Sequence, residues 1–326
     1  MQALTVSTSN ATNIDQLTWQ DIPLPTLQPD EVLIAVQAGG LNPVDYKIVE
    51  NGHLNWPIPH VLGLDVAGTI TKIGAQVHHL HIGQRVAGHG NLATNGCFAE
   101  YVAFKAAALA PIPDNLDFAT AAGSLCAGLT AYQSLFRKAN LSNVHSVLIH
   151  GGAGGVGSMA IQLAKNQGKT VYTTVSSAKQ SFAAQLAPDA MIDYHHENVS
   201  ARISTLTHQK GVDLIINTTG NADADLERLA FNGQLVCLLD PPLKIQSQLG
   251  HSVACVNLGG AHRSNNIDQL RDLESMSTEL LDLVAHHQVD PLITQKITFH
   301  NIPLGLQQIK RHQIMGKIVA VKSLAQ

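Results

Sequence analysis

Apolar residues follow two different rhythms along this chain. Over the first hundred residues they come in short runs: Val32-Leu33-Ile34-Ala35-Val36, Val66-Ala67-Gly68-Thr69-Ile70 and Phe98-Ala99-Glu100-Tyr101-Val102. The runs sit among Pro and Gly residues such as Pro23, Pro25, Pro29, Gly39-Gly40, Gly74, Gly83 and Gly88. Short apolar or β-branched runs between such breakers predict strands, so this region reads as a compact, mostly β domain. After Pro111 and Pro113 the rhythm changes. A helix is predicted over 118–138, then strands over 144–149, 170–175, 190–194, 212–217, 234–239 and 253–258. Helical stretches such as 156–167 separate most of them. Six strands alternating with helices predict an α/β, doubly wound parallel sheet with helices on both faces. Beyond Gly259-Gly260, Ile267, Leu270, Leu273, Leu280, Leu281 and Val284 recur at helical spacing. A strand over 293–299, a short helix over 304–312 and a strand over 317–321 close the pattern.

Composition narrows the function classes. A chain of 326 residues suggests two domains at about 150 residues each. Charged residues make up 13%, about half the usual ~25%. That balance favours extensive burial and excludes disorder. The net charge of −4 lacks the basic footprint of a nucleic-acid partner. The longest uncharged stretch, 118–136, is broken by Thr, Ser, Gln and Gly and does not read as a membrane span. The N-terminal residues lack a signal-peptide pattern. Cys97, Cys126, Cys237 and Cys255 form no CxxC pair. They read as thiols in a reducing compartment, so a soluble cytoplasmic protein is expected.

Gly152-Ala153-Gly154-Gly155-Val156-Gly157 satisfies G-x-G-x-x-G, with a predicted strand before it and a helix after it. That context is the one in which glycines let a pyrophosphate approach a helix N-terminus. The following strand ends Thr173-Thr174-Val175-Ser176-Ser177-Ala178-Lys179, and no carboxylate occurs over 118–188. A carboxylate there would bind ribose hydroxyls. Ser176, Ser177 and Lys179 suit a 2′-phosphate instead, so NADPH is expected over NADH.

Further motifs appear in order: Leu41-Asn42-Pro43-Val44-Asp45-Tyr46-Lys47, Leu62-Gly63-Leu64-Asp65-Val66-Ala67-Gly68, Gly96-Cys97-Phe98-Ala99-Glu100-Tyr101-Val102, Ala127-Gly128-Leu129-Thr130-Ala131-Tyr132 and Gly316-Lys317-Ile318-Val319. With the glycine loop, the chain resembles the zinc-independent medium-chain dehydrogenase/reductases, in their quinone oxidoreductase (zeta-crystallin-like) and enone reductase branch. The resemblance implies a GroES-like catalytic domain over 1–124, a Rossmann domain over 125–262 and a return to the catalytic domain over 263–326. It implies Asn42 near the nicotinamide and Thr130 beside its carboxamide. It also implies Gly152, Gly154, Gly155, Val156 and Gly157 at the pyrophosphate, and Ser176, Ser177, Lys179 and Tyr194 around the 2′-phosphate. Lys317 belongs to the same cofactor set.

The zinc enzymes of the superfamily ligate metal through a Cys and a Gly-His-Glu motif. Here the corresponding segments are Asn42–Lys47 and Gly63-Leu64-Asp65, and leucine ligates no zinc, so no metal is expected. Lys47 is then the candidate to stabilise charge on the substrate oxygen. Where relatives carry a tyrosine, this chain has Gly52-His53-Leu54, and His53 is a second candidate donor. The expected function is NADPH-dependent hydride transfer to a quinone or an α,β-unsaturated carbonyl. The alternatives are a non-catalytic NADPH-binding protein of the same fold and a zinc alcohol dehydrogenase. The paired histidines His78-His79, His195-His196 and His286-His287 read as solvated residues. The resemblance implies a homodimer, and the apolar edge strand 253–258 offers a pairing surface, with Val256→Pro expected to give monomers.

Overall fold

The computed structural model describes residues 1–8, 11–51, 56–244 and 247–322. The chain divides into two compact units. The first is Met1–Cys126, Gly259–His286 and Ile293–Gln326; the second is Ala127–Leu258 and His287–Leu292. Among the described residues no helix is long and apolar enough to cross a membrane.

The first unit is built on a seven-stranded sheet. Its path runs Ile293–Thr298, Lys317–Val321, Glu31–Gly40, Asp65–Ile73, Arg85–His89, Ala110–Pro111, and Tyr101–Lys105 pairs with Glu31–Gly40 off that path. Gln2–Val6, Leu17–Asp21 and His60–Val61 form a smaller sheet. Register matters most at one end of the large sheet. Gly40 pairs with Asp65 on one side and with Val319 on the other, and Asp65 pairs with His89. Asn42, Asp65, His89 and Lys317 therefore arrive together from four separate segments. Gly40 permits the approach, because a Cβ there would stand 2.8 Å from the Ala122 carbonyl oxygen.

In the second unit the strand order is Ala190–Asp193, Thr170–Val175, Ser146–Ile149, Val212–Asn217, Leu229–Cys237, Ser252–Cys255, all parallel. This is the 3-2-1-4-5-6 order of a dinucleotide-binding sheet. Val147, Leu148, Ile149, Leu214, Ile215 and Ile216 are all fully buried. Consecutive strand residues face opposite ways, so both faces of the sheet are covered.

Several element bounds differ from the sequence expectation. The run 98–102 is not one strand: the strand is Tyr101–Lys105. Before it, Phe98 N–H donates to the Leu62 carbonyl and only Ala99 bridges to Ala3. The α-helix begun at Phe118 ends at Gln133 and is followed by a π-turn, Ser134–Lys138. The last strand of the parallel sheet stops at Cys255 rather than 258. The short helix starts earlier, at Ile302, with proline in its first turn.

Candidate active site

In the first unit, a closed polar cluster forms where the strands converge. Asn42 caps the helix Pro43–Glu50 and is 2% exposed. Its Nδ2 donates to Asp65 Oδ2 at 2.8 Å and to the Gly40 carbonyl at 3.2 Å. Its Oδ1 accepts from Lys317 Nζ at 2.6 Å. Lys317 also donates to the Leu41 carbonyl and stands 3.7 Å from Asp65 Oδ2. Asp65 is fully buried; its Oδ1 lies 2.8 Å from His89 Nδ1, and both its oxygens accept from the Cys126 N–H. Behind it, His262 Nε2 meets the His89 carbonyl at 2.8 Å.

Charge inside this cluster is balanced. Burial would raise the Asp65 carboxyl, but the His89 hydrogen bond and the Lys317 ammonium outweigh it and hold it below its ordinary value. Asp45 sits one turn into the helix, with Oδ2 2.7 Å from Asn42 N. Burial pushes its carboxyl up to about 8, with the Asp65 charge adding to the effect. At neutral pH Asp45 therefore keeps its proton. One ammonium, Lys317, faces one carboxylate, Asp65. Buried charges need such pairing.

Asp65, His89 and Cys126 place their donor atoms within 4.8 Å of one another, which makes them the candidate ligands for a metal. The donor set does not fit a resident one. Both Asp65 oxygens are engaged, His89 Nδ1 faces Asp65, and Lys317 already supplies the cation.

The sequence candidates of this unit separate in space. Asn42 and Lys317 are joined. Lys47 is exposed, two residues past Asp45 on the other side of the helix. His53 lies outside the described residues. Two pockets of this unit share Leu64, Asn91 and Gly96, and the larger encloses about 360 Å³.

The second unit carries the glycine loop. Gly151 has φ +68°, and Gly154 caps the helix Gly155–Asn166. A Cβ on Gly152 would stand 2.2 Å from Thr173 Oγ1, and one on Gly157 2.2 Å from the Gly151 carbonyl. Around Gly154 there is nearly open space, its nearest contact being 3.3 Å. The first amides of a helix have no acceptor within it, so Gly155, Val156 and Gly157 offer a cradle for a diphosphate. A dinucleotide fits this loop.

Behind the loop lies a support that sequence reading missed. Thr174 Oγ1 accepts from Gly151 N at 3.1 Å, and the Thr174 carbonyl accepts from Gly152 N at 3.0 Å. His150 Nδ1 is 3.1 Å from Thr174 Oγ1, and its Nε2 is 2.8 Å from Asp225 Oδ1. Asp225 also takes Asn217 Nδ2 at 2.6 Å and Arg228 at 2.7 Å. Burial opposes ionisation of Asp225, but these partners, His150 first, hold its carboxyl below the ordinary value.

At the adjoining strand ends, Ser176 is half-buried and precedes the turn Ser177–Lys179. Burial moves the Lys179 ammonium down from its ordinary value. Tyr194 is half-exposed, tilted against His195. The structure adds a carboxylate, because Asp193 pairs in register with Val175. Ser177 Oγ donates to Asp193, and His196 Nδ1 lies 3.0 Å from the same oxygen. Those hydrogen bonds, Ser177's first, draw the Asp193 carboxyl down to about 2. Thr130 also belongs to this unit, half-buried on the helix Phe118–Gln133.

A signal for the missed Asp65 existed in the sequence. Asp65 heads the strand Asp65–Ile73, where Val66 and Ala67 follow it into the core. In a chain with so few charges, an ionic group placed that way needs a buried partner.

Comparison with known proteins agrees with both halves. Residues 28–114 match the model of the alcohol dehydrogenase GroES-like domain, and residues 155–238 match that of the zinc-binding dehydrogenases. The chain is 40% identical over 228 residues to a 2-methylene-furan-3-one reductase of Solanum lycopersicum, covering 67% of this chain and 57% of that one. It is 35% identical over 230 residues to an NADPH-dependent alkenal/one oxidoreductase, chloroplastic, of Arabidopsis thaliana, with the same two coverages. The chain thus spans little more than half the length of these curated relatives. The solved quinone oxidoreductase of Coxiella burnetii superposes with a TM-score of 0.82 at 27% identity, over 99% of both chains. With its GroES-like unit, its six-stranded dinucleotide-binding sheet and its glycine loop, the chain belongs to the medium-chain dehydrogenase/reductase family.

Proposed function

We propose that this protein is an NADPH-dependent reductase of quinones or α,β-unsaturated carbonyls that works without a metal. The observation that carries the reading is a cluster in which the Lys317 ammonium balances Asp65, in a chain that also holds a dinucleotide cradle. When bound, the nicotinamide supplies a hydride to the acceptor's electrophilic carbon. Gly152, Gly154, Gly155, Val156 and Gly157 hold the pyrophosphate. Thr130 would hold the nicotinamide carboxamide and Asn42 would lie near the ring, as the resemblance implies; in its own unit Asn42 is locked by three hydrogen bonds. Lys47, exposed on the helix Pro43–Glu50, is the candidate donor to the acceptor oxygen, and His53 is the second candidate. Ser176, Lys179 and Tyr194 hold the 2′-phosphate. The preference for NADPH is supported by Lys179 and by the ties on Asp193, whose charge is shared with Ser177 and His196.

Absorbance loss of reduced nicotinamide in chelator-treated protein tests this directly. NADPH and NADH are offered separately, each with a quinone panel and an enone panel. NADPH-selective turnover is expected. Cofactor binding with no turnover on any acceptor would move the reading to a non-catalytic binding protein, and turnover preferring NADH would overturn the 2′-phosphate assignment.

The proposal includes a cytoplasmic homodimer, paired through the edge strand Ser252–Cys255. Val256 is the wrong probe for that edge, because its N–H already donates to the Cys237 carbonyl at 2.9 Å. Facing alternates along a parallel strand, so Val253 presents its N–H outward. Val253→Pro is expected to give monomers in sedimentation; an unchanged dimer rejects this edge as the interface.

A further inference from the structure

Two of the four cysteines meet on neighbouring strands of the second unit. Cys237 ends the strand Leu229–Cys237 and Cys255 ends the strand Ser252–Cys255. The strands are parallel and these residues are register partners. Neighbouring strands lie about 4.8 Å apart. A disulfide spans about 4.4–6.8 Å between Cα atoms, so the backbone spacing already suits one.

The side chains also point to the same face. Leu235 and Cys237 belong to one core cluster with Leu148 and Ile215, and Val253 packs against that cluster. Cys255 lies two residues beyond Val253 and so returns to the same face. The ladder bond from Val256 N–H to the Cys237 carbonyl, 2.9 Å, holds this end of the pair in register. The two thiols differ in access: Cys237 is 1% exposed, whereas Cys255 is exposed in the single chain, on a face of the sheet and not at the hydrogen-bonding edge that a partner strand would take. Burial, with the nearby Cys255 adding to it, pushes the Cys237 thiol up to about 11. Cys237 is therefore slow to react with a dissolved oxidant, and Cys255 meets the oxidant first.

We propose that Cys255 and Cys237 form a reversible oxidation site that closes to a disulfide on exposure to a hydroperoxide. The Cys255 sulfur attacks the peroxide, the O–O bond breaks, and the products are a Cys255 sulfenic acid and an alcohol, or water when hydrogen peroxide is the oxidant. The Cys237 sulfur then attacks the Cys255 sulfur. The S–S bond forms, the S–O bond breaks, and the hydroxyl leaves as water with the Cys237 proton. A dithiol reductant returns both thiols. Closure ties the edge strand of the parallel sheet to its neighbour by a covalent bond.

The test is peptide mass spectrometry on the full chain after hydrogen peroxide, with free thiols blocked by iodoacetamide. The expected product is a peptide pair joined through Cys237 and Cys255, two hydrogens lighter than the separate peptides and separated by dithiothreitol. Cys255→Ser is expected to abolish the joined pair and to leave the Cys237 thiol free to alkylate. The proposal is overturned if Cys255 advances to the sulfinic acid while Cys237 remains alkylated. It is equally overturned if Cys255 joins only a second chain.

Discussion

Two buried carboxylates of this protein, Asp65 at 0% and Asp193 at 6% exposed, stand at the ends of strands, and their partners differ in exposure. Asp65 of the first unit is fully buried, and every partner it has is also largely buried. Asp193 of the second unit holds Ser177, which is exposed, and His196, whose side chain is 74% exposed. The first arrangement is closed. It must be neutral in itself, because water cannot screen it. The second meets solvent through its exposed partners, Ser177 and His196, which share its charge.

The largest test of the contrast is Lys317→Met. It leaves Asp65 ionised without a buried cation, and breaking such a pair costs about 3–5 kcal/mol. Urea titration reads the loss, and the double variant with Asp65→Asn is expected to recover much of it. A Lys317→Met protein as stable as the parent would end the idea that Lys317 is the compensating charge.

The next test is pH. Asp45 keeps its proton in the folded chain up to about 8 but has an ordinary value of 3.8. Between these values the folded state binds more protons than the unfolded one, so stability falls as pH rises across the window. Asp65 has the opposite sign, and its contribution is lost as pH falls through its depressed value. Asp45→Asn is expected to flatten the decline between pH 4 and pH 8 in urea midpoints. An unchanged slope would assign the decline to other groups.

Thr174→Val tests the open side from behind. It removes the acceptor for Gly151 N–H and one partner of His150. An unmet buried donor costs about 1–3 kcal/mol. NADPH affinity, read by fluorescence titration, is expected to fall more than stability does. The reverse ranking would make Thr174 a support of the sheet and not of the loop.

The smallest expected effect is Lys179→Met. It is expected to weaken NADPH binding about tenfold, or about 1.4 kcal/mol, and to leave NADH binding unchanged. Equal weakening of both cofactors would show that Lys179 acts away from the 2′-phosphate.

The glycine loop was legible because its chemistry is local. Strand, turn and helix are contiguous in sequence, and glycine is needed at positions where a Cβ would collide. The buried cluster was only partly legible. Asn42 and Lys317 were both singled out for a cofactor, but their direct contact joins residues 275 positions apart. The carboxylate beside Val175 was missed for a related reason. The stretch 118–188 holds none, but a parallel sheet brings the end of the next strand, Asp193, beside Val175.

By itself, then, the sequence determined most elements to within a few residues, the alternation that makes a doubly wound sheet, and the loop suited to a diphosphate. These follow from periodicity and from backbone conformations set by neighbouring residues. Only the tertiary structure decided which charges meet. It paired Lys317 with Asp65, kept Asp45 protonated, turned Lys47 outward and set Asp193 against Ser177. Those outcomes depend on strand register and on exclusion of water, which no stretch of sequence carries alone.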